Sequence, residues 1–180
     1  MIIKIMSRQE AIDFSNVPEN KPNVIISITD VGSSKPQFGN IENIFYMLRL
    51  EFDDVLSNEP NAMTIDQAKS IVNMIKTLKD VIVNTSNINF IIHCEGGVSR
   101  SAGIAAAIKT ILGQDDMDIF RNPKYAPNKH CYYTLLNTYF GSFPEQEHKF
   151  VENIEAYRKA EGLDEEEPED PYYFSDGLHW

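Results

Sequence analysis

The chain has 180 residues, of which 42% are hydrophobic and 24% charged. That composition belongs to a globular domain able to bury roughly 70% of the surface its unfolded form exposes, and it excludes disorder throughout and fibrous repeats. No apolar run approaches the roughly 20 residues of a membrane helix, and Lys4 interrupts Met1–Met6 before a secretory segment can form, so a cytoplasmic protein is expected. The net charge of −11 sits mostly at one end: residues 161–180 hold eight acids and no Lys or Arg, leaving 19 acids against 16 bases before them. A single domain over residues 1–162 is expected, followed by an acidic tail over 163–180 with Tyr172, Tyr173, Phe174 and Trp180. Neither nucleic acid nor a membrane is an expected partner, and a monomer is expected. Cys94 and Cys131 allow at most one bridge and read as reduced thiols.

In chain order, Ile2–Met6 reads as a strand, and Ser7 with Glu10 as a capping box opening a short helix toward Phe14. Asn23–Thr29 is a β-branched strand that ends in a turn-forming stretch, Asp30–Gly39. In Ile44–Phe52, Leu48, Leu50 and Phe52 alternate with Arg49 and Glu51, the pattern of a half-buried strand. Thr64 and Gln67 repeat the capping-box spacing, and apolar residues from Ile65 to Val81 then recur at helical intervals. Phe90–Cys94 is a short strand entering a glycine-bearing turn, followed by a small-residue helix, Ala102–Leu112. Beyond Gly113 the pattern is helical, with Asn128 as a cap before Tyr132–Phe140 and Pro144 near the start of a helix reaching Ala160. Strand, loop and helix alternate, so the fold class is α/β.

One segment carries chemistry. From His93 to Ser101 the sequence is His-Cys-Glu-Gly-Gly-Val-Ser-Arg-Ser, so a cysteine closes a strand and an arginine follows six positions later at a helix start. A loop of this length can curl its N–H groups toward a common centre, and Gly96 and Gly97 permit the positive φ angles such curling demands. The helix dipole and the planar fork of Arg100 add to an anion site that fits phosphate. Cys94 in that electropositive cup favours its thiolate form and becomes a nucleophile toward a phosphoryl group, through chemistry that calls for no metal or cofactor. Lysine could not replace the fork at position 100.

The segment resembles the phosphate-binding loop of the cysteine-dependent protein tyrosine and dual-specificity phosphatases, His-Cys-x5-Arg-Ser/Thr, and matches every fixed position. Gly97-Val98-Ser99-Arg100-Ser101, and Pro127-Asn128 before a helix, are closer to the dual-specificity branch in its short bacterial or phage form. The resemblance covers about Asn23 to Tyr139. It implies a central, mostly parallel sheet flanked by helices and a metal-independent hydrolase acting on phosphotyrosine in a phosphoprotein or phosphopeptide, with phosphoserine and phosphothreonine left open. It also implies a phosphocysteine intermediate on Cys94, phosphate binding by Glu95, Gly96, Gly97, Val98, Ser99 and Arg100, assistance to the leaving thiolate by Ser101, and tuning of the thiol by His93. Ser99 and Ser101 can alternatively cap the helix, and His93 can be a satisfied core histidine.

A leaving alkoxide or phenolate needs a proton. The family places an aspartate for this after the strand preceding the long helix, here Asp53 or Asp54. Strand phase does not decide between them; the resembling short bacterial and phage phosphatases carry an Asp followed by an aliphatic residue, as in Asp54-Val55, which favours Asp54, with Asp53 the alternative and Asp66 a third acid that reads as part of a helix start. The interval from Asp54 to Cys94 is longer than usual for the family, which an insertion at Ser57–Ala62 would explain. No Trp-Pro-Asp loop and no Lys-Asn-Arg-Tyr loop is present, so restriction to phosphotyrosine is not implied. Glu95 in the loop disfavours polyphosphorylated lipid headgroups. Competing readings are a non-catalytic phosphate-binding chain, a sulfur transferase or arsenate reductase, and a metal site using His93-Cys94 with His130-Cys131. Cys131 as a resolving thiol and the tail as a phosphotyrosine mimic are further readings, each weaker than helix packing and a solvated tail.

Overall fold

The computed structural model describes residues 3–18, 21–57, 59–84 and 88–162. The elements run β1 (Ile3–Met6), α1 (Arg8–Asn16), β2 (Asn23–Thr29), a 3₁₀ turn (Ile41–Asn43), β3 (Ile44–Glu51), α2 (Ile65–Asn84), β4 (Asn89–His93), α3 (Arg100–Ile111), α4 (Met117–Phe120), α5 (Lys129–Phe140) and α6 (Glu147–Ala160). The expected acidic tail and the first residue of the expected β1 lie outside the described residues.

The sheet has the order β1-β4-β2-β3, and every pairing is parallel rather than mostly so. β2 and β4 occupy the centre and are buried along their whole length, which is why they read as continuous β-branched runs rather than alternating ones. Their side chains separate with a period of two. Ile25 and Ile91 meet Ala11 and Phe38 on the α1 side, while Val24, Ile26, Ile28, Phe90 and Ile92 enter the main core with α2, α3 and α5. β3 is an edge strand, and there Leu50 is buried while Glu51 stays exposed.

Local signals set the helix starts. Ser7 accepts from the Glu10 N–H while the Glu10 carboxylate accepts from the Ser7 N–H, and Thr64 and Gln67 repeat the exchange at α2. Asn128 caps α5 by accepting from the Cys131 N–H. At α6, Pro144 lies before the helix rather than in its first turn. Asp116, buried between α3 and α4, accepts from Thr110, Tyr132 and Lys149 and so joins α3, α5 and α6 through one satisfied carboxylate.

Because all four strands are parallel, their C-terminal ends share one edge of the sheet. Ser7, Asp30, Asp53, Asp54 and Cys94 all follow strand ends there, the edge where open α/β sheets bind ligands. Two glycines make the edge compact. Gly97 has φ +71°, and a Cβ on it would lie 2.4 Å from the Ser7 nitrogen; a Cβ on Gly103 would lie 2.5 Å from the Asn128 carbonyl oxygen. Gly97→Ala therefore combines a left-handed backbone with a clash against main chain. It is expected to destabilise the fold by at least about 2 kcal/mol in urea denaturation, and a change within about 0.5 kcal/mol would contradict this packing.

Candidate active site

β4 ends at His93, and residues 94–99 return the chain to α3. Three carbonyls of this loop are tied to the surrounding scaffold. Glu95 O accepts from the Arg8 N–H at 3.1 Å, Val98 O from the Ala126 N–H at 3.1 Å, and Ser99 O from the N–H groups of Asn128 and Gly103 at 3.1 and 2.8 Å. Every described peptide bond is trans, so the N–H of each following residue points opposite to its carbonyl. The amides of Gly96, Ser99 and Arg100 thus face away from the scaffold. The Gly97 amide shows what lies on the inner side, since it donates to Cys94 Sγ at 3.3 Å. Of the two loop glycines only Gly97 uses a positive φ.

Cys94 is 2% exposed, and its Sγ lies 3.2 Å from Ser101 Oγ. Ser101 is the second residue of α3 and does not cap it. Ser99 occupies the cap position without a capping bond, because its hydroxyl donates to Asp54 Oδ1 at 2.8 Å. The Glu95 side chain turns to Arg8 at 3.0 Å, which neutralises the acid in the loop. Gly96 is exposed and Val98 half-buried.

The two candidate acids separate cleanly. Asp53 Oδ1 accepts from the Val31 N–H and Oδ2 from the Asn61 amide, both at 2.9 Å, and these bonds hold its carboxyl below its ordinary value. One oxygen thus serves the loop after β2 and the other its own loop. Asp54 reaches the loop: Oδ1 accepts from Ser99 and from Asn128 Nδ2, each at 2.8 Å, while Oδ2 lies 3.9 Å from Arg100 Nε. Asn61, at the end of the expected insertion, has φ +63° and closes that segment onto Asp53.

Arg100 is 3% exposed. One terminal nitrogen, Nη1, donates to Phe52 O at 2.7 Å and to Asp30 Oδ1 at 2.6 Å, while Nε is buried with no hydrogen-bond partner among the described residues. An orphaned buried donor beside a cysteine loop is a ready contact for an oxyanion.

His93 lies beneath the loop, fully buried. Nδ1 faces Cys94 O at 3.4 Å, which can only accept, so the ring proton sits on Nδ1 and Nε2 accepts from Ser27 Oγ at 2.8 Å. It is a satisfied core histidine that also bonds the Cys94 carbonyl. His130 is similarly engaged with Met63 O and Thr134, and among the described residues no cluster of His, Cys, Asp and Glu could hold a metal. Cys131 is unpaired and buried in the main core, and burial pushes its thiol well up, against the thiolate a resolving role requires.

No protein-family model matches the chain, and no curated protein matches it. Among solved structures it is similar to Tk-PTP in its active form, at 14% identity and a TM-score of 0.41, covering 87% of this chain and 90% of that one. It is also similar to the human tyrosine phosphatase-like serine/threonine/tyrosine-interacting protein, at 18% identity and a TM-score of 0.38, covering 79% and 78%.

Two partners were not foreseen from sequence. Asp30 reads as a turn residue, and only the parallel pairing of β2 with its neighbours brings it to Arg100. Asn128 reads as a helix cap, which it is, yet its Nδ2 also donates to Asp54 Oδ1 and Val55 O.

Burial is the main cause that drops His93 from its ordinary 6.5 to about 4, opposed by the Cys94 carbonyl and reinforced by Arg8, Arg49 and Arg100. The unfolded chain binds this proton near pH 6.5 and the folded chain only near 4. The resulting stability is complete above the unfolded value and is lost as pH falls through that window, by roughly 3 kcal/mol below both values. Urea titrations at pH 7 and pH 4.5 are expected to show a smaller loss of stability for His93→Gln than for wild type; equal losses would contradict a neutral buried His93.

Proposed function

We propose that this chain is a metal-independent phosphomonoesterase that removes phosphate from phosphotyrosine in proteins through a phosphocysteine intermediate, with phosphoserine and phosphothreonine as further candidate substrates. The observation that carries this reading is the convergence of Cys94 Sγ, the Gly97 amide and Ser101 Oγ with an acid, Asp54, held over the same loop by Ser99. The resemblance of His93–Ser101 to the phosphatase loop supports it independently.

In the proposed first step the Cys94 thiolate attacks phosphorus as the bond to the leaving oxygen breaks. Asp54 supplies that oxygen's proton. Its Oδ1 already accepts two hydrogen bonds, so the proton resides on Oδ2. The amides of Gly96, Ser99 and Arg100 and the orphaned Arg100 Nε donate to the equatorial oxygens, a preorganised array that stabilises the transition state. In the second step water attacks the phosphocysteine, the Asp54 carboxylate takes its proton, the S–P bond breaks, and the Ser101 hydroxyl donates to the departing thiolate. Asp30 and Phe52 O position the guanidinium between them.

Wild type is expected to hydrolyse para-nitrophenyl phosphate, with inhibition by vanadate and indifference to chelators, and Cys94→Ser to lose turnover entirely. Asp54→Asn should lower kcat by about 10²–10⁴-fold on phenyl phosphate and less on para-nitrophenyl phosphate, whose better leaving group needs less of a proton. Asp53→Asn should stay within about threefold of wild type, since Asp53 serves Val31 and Asn61. Vanadate binding without turnover in wild type, or a larger loss in Asp53→Asn than in Asp54→Asn, would overturn the assignment.

A further inference from the structure

Next to the acid the surface opens into a groove of about 370 Å³, lined by Asp54, Ser99 and apolar residues that include Leu56, Pro127 and, from α6, Phe150 and Ile154. Leu56 is 62% exposed and Ile154 45%. Contiguous exposed apolar surface of this kind is retained where something covers it. Leu56 and Lys129 also line a second groove of about 460 Å³ that runs on to Glu145. Carboxylates set the charge of the combined surface. Asp54, Glu59 and Glu145 line it, and Lys129, the sole Lys or Arg among the lining residues, is bound to Glu147 at 2.5 Å.

This surface begins at two residues of the proposed catalytic site and has the opposite polarity to the phosphate loop. A ligand spanning both must be anionic at one end and apolar and cationic at the other. Resting on the phosphatase reading above, we infer that the groove receives the residues flanking the phosphorylated side chain and selects phosphopeptides with an apolar neighbour followed by Lys or Arg. The chain's own residues 163–180, with seven acids and no Lys or Arg, carry the wrong charge for it, as does a second copy of a chain with net charge −11.

The test is fluorescence anisotropy with full-length Cys94→Ser and three labelled phosphotyrosine peptides: one with Leu then Lys-Arg after the phosphotyrosine, one with Leu replaced by Ser, one with Lys-Arg replaced by Glu-Glu. The first is expected to bind about tenfold tighter than either other. Adding Ile154→Ser should erase the preference for Leu, and adding Glu59→Lys should shrink the preference for Lys-Arg several-fold. Equal affinities, displacement by a synthetic 163–180 peptide at comparable concentration, or binding that falls as the protein self-associates would overturn the inference. Para-nitrophenyl phosphate turnover by wild type is read in parallel. Turnover without peptide discrimination overturns the groove alone, and discrimination without turnover overturns the phosphatase reading and leaves the groove standing.

Discussion

The outward tethering of the Glu95, Val98 and Ser99 carbonyls fixes the sense of the peptide planes between β4 and α3, and the character of the site follows from it. A trans peptide cannot turn its carbonyl to the scaffold without turning the next N–H the other way. The donors come from three separate places: the start of α1, the segment before α5, and α3 itself. Gly97 allows the loop to lie against the β1–α1 turn, and Gly103 allows α3 to lie against Asn128, so both close approaches also seat the loop. A loop held at that many points keeps its shape without a ligand to order it.

The same economy governs the charged groups. A buried guanidinium is tolerable only with partners, and Arg100 has Phe52 O and Asp30 on one nitrogen while Nε stays unspent. Phe52 lies two residues before Asp54, so the contact that holds the arginine also fixes where the chain delivers the acid. Asp54 is then restrained by Ser99 from the loop and Asn128 from the α5 cap. Arg100 and Asp54 are thus coupled through short stretches of chain, and His93, neutral beneath them, adds a bond to the Cys94 carbonyl without adding charge.

What could be read from the sequence is what is local in it. The Cys94-to-Ser101 spacing, the Ser7 and Thr64 capping boxes, the Asn128 cap and the buried runs of β2 and β4 each depend on residues within a few positions of one another. Where Asp53 and Asp54 point was not local, because β3 ends at Glu51 and side-chain alternation carries no information beyond it; the Val31 N–H from the loop after β2 and Asn61 eight residues on engage Asp53 and leave Asp54 toward Ser99. Ser99 reads as a cap because serine before a helix usually is one, yet a carboxylate 45 residues away claims its hydroxyl instead. Asp30 at Arg100 and Asp116 among Thr110, Tyr132 and Lys149 depend on strand order and helix packing, which no spacing along the chain encodes.

In the proposed reaction Cys94 Sγ becomes covalently bonded to phosphorus, and intact-protein mass spectrometry after rapid acid quench detects that bond. During turnover of para-nitrophenyl phosphate by Ser101→Ala, whose thiolate leaves without the hydroxyl's help, the account predicts a population heavier by one phosphoryl group. Peptide mapping should place that group on Cys94, and it should be absent from the Cys94→Ser, Ser101→Ala double variant. Phosphate release with no such adduct, or an adduct that persists when Cys94 is replaced, would contradict it.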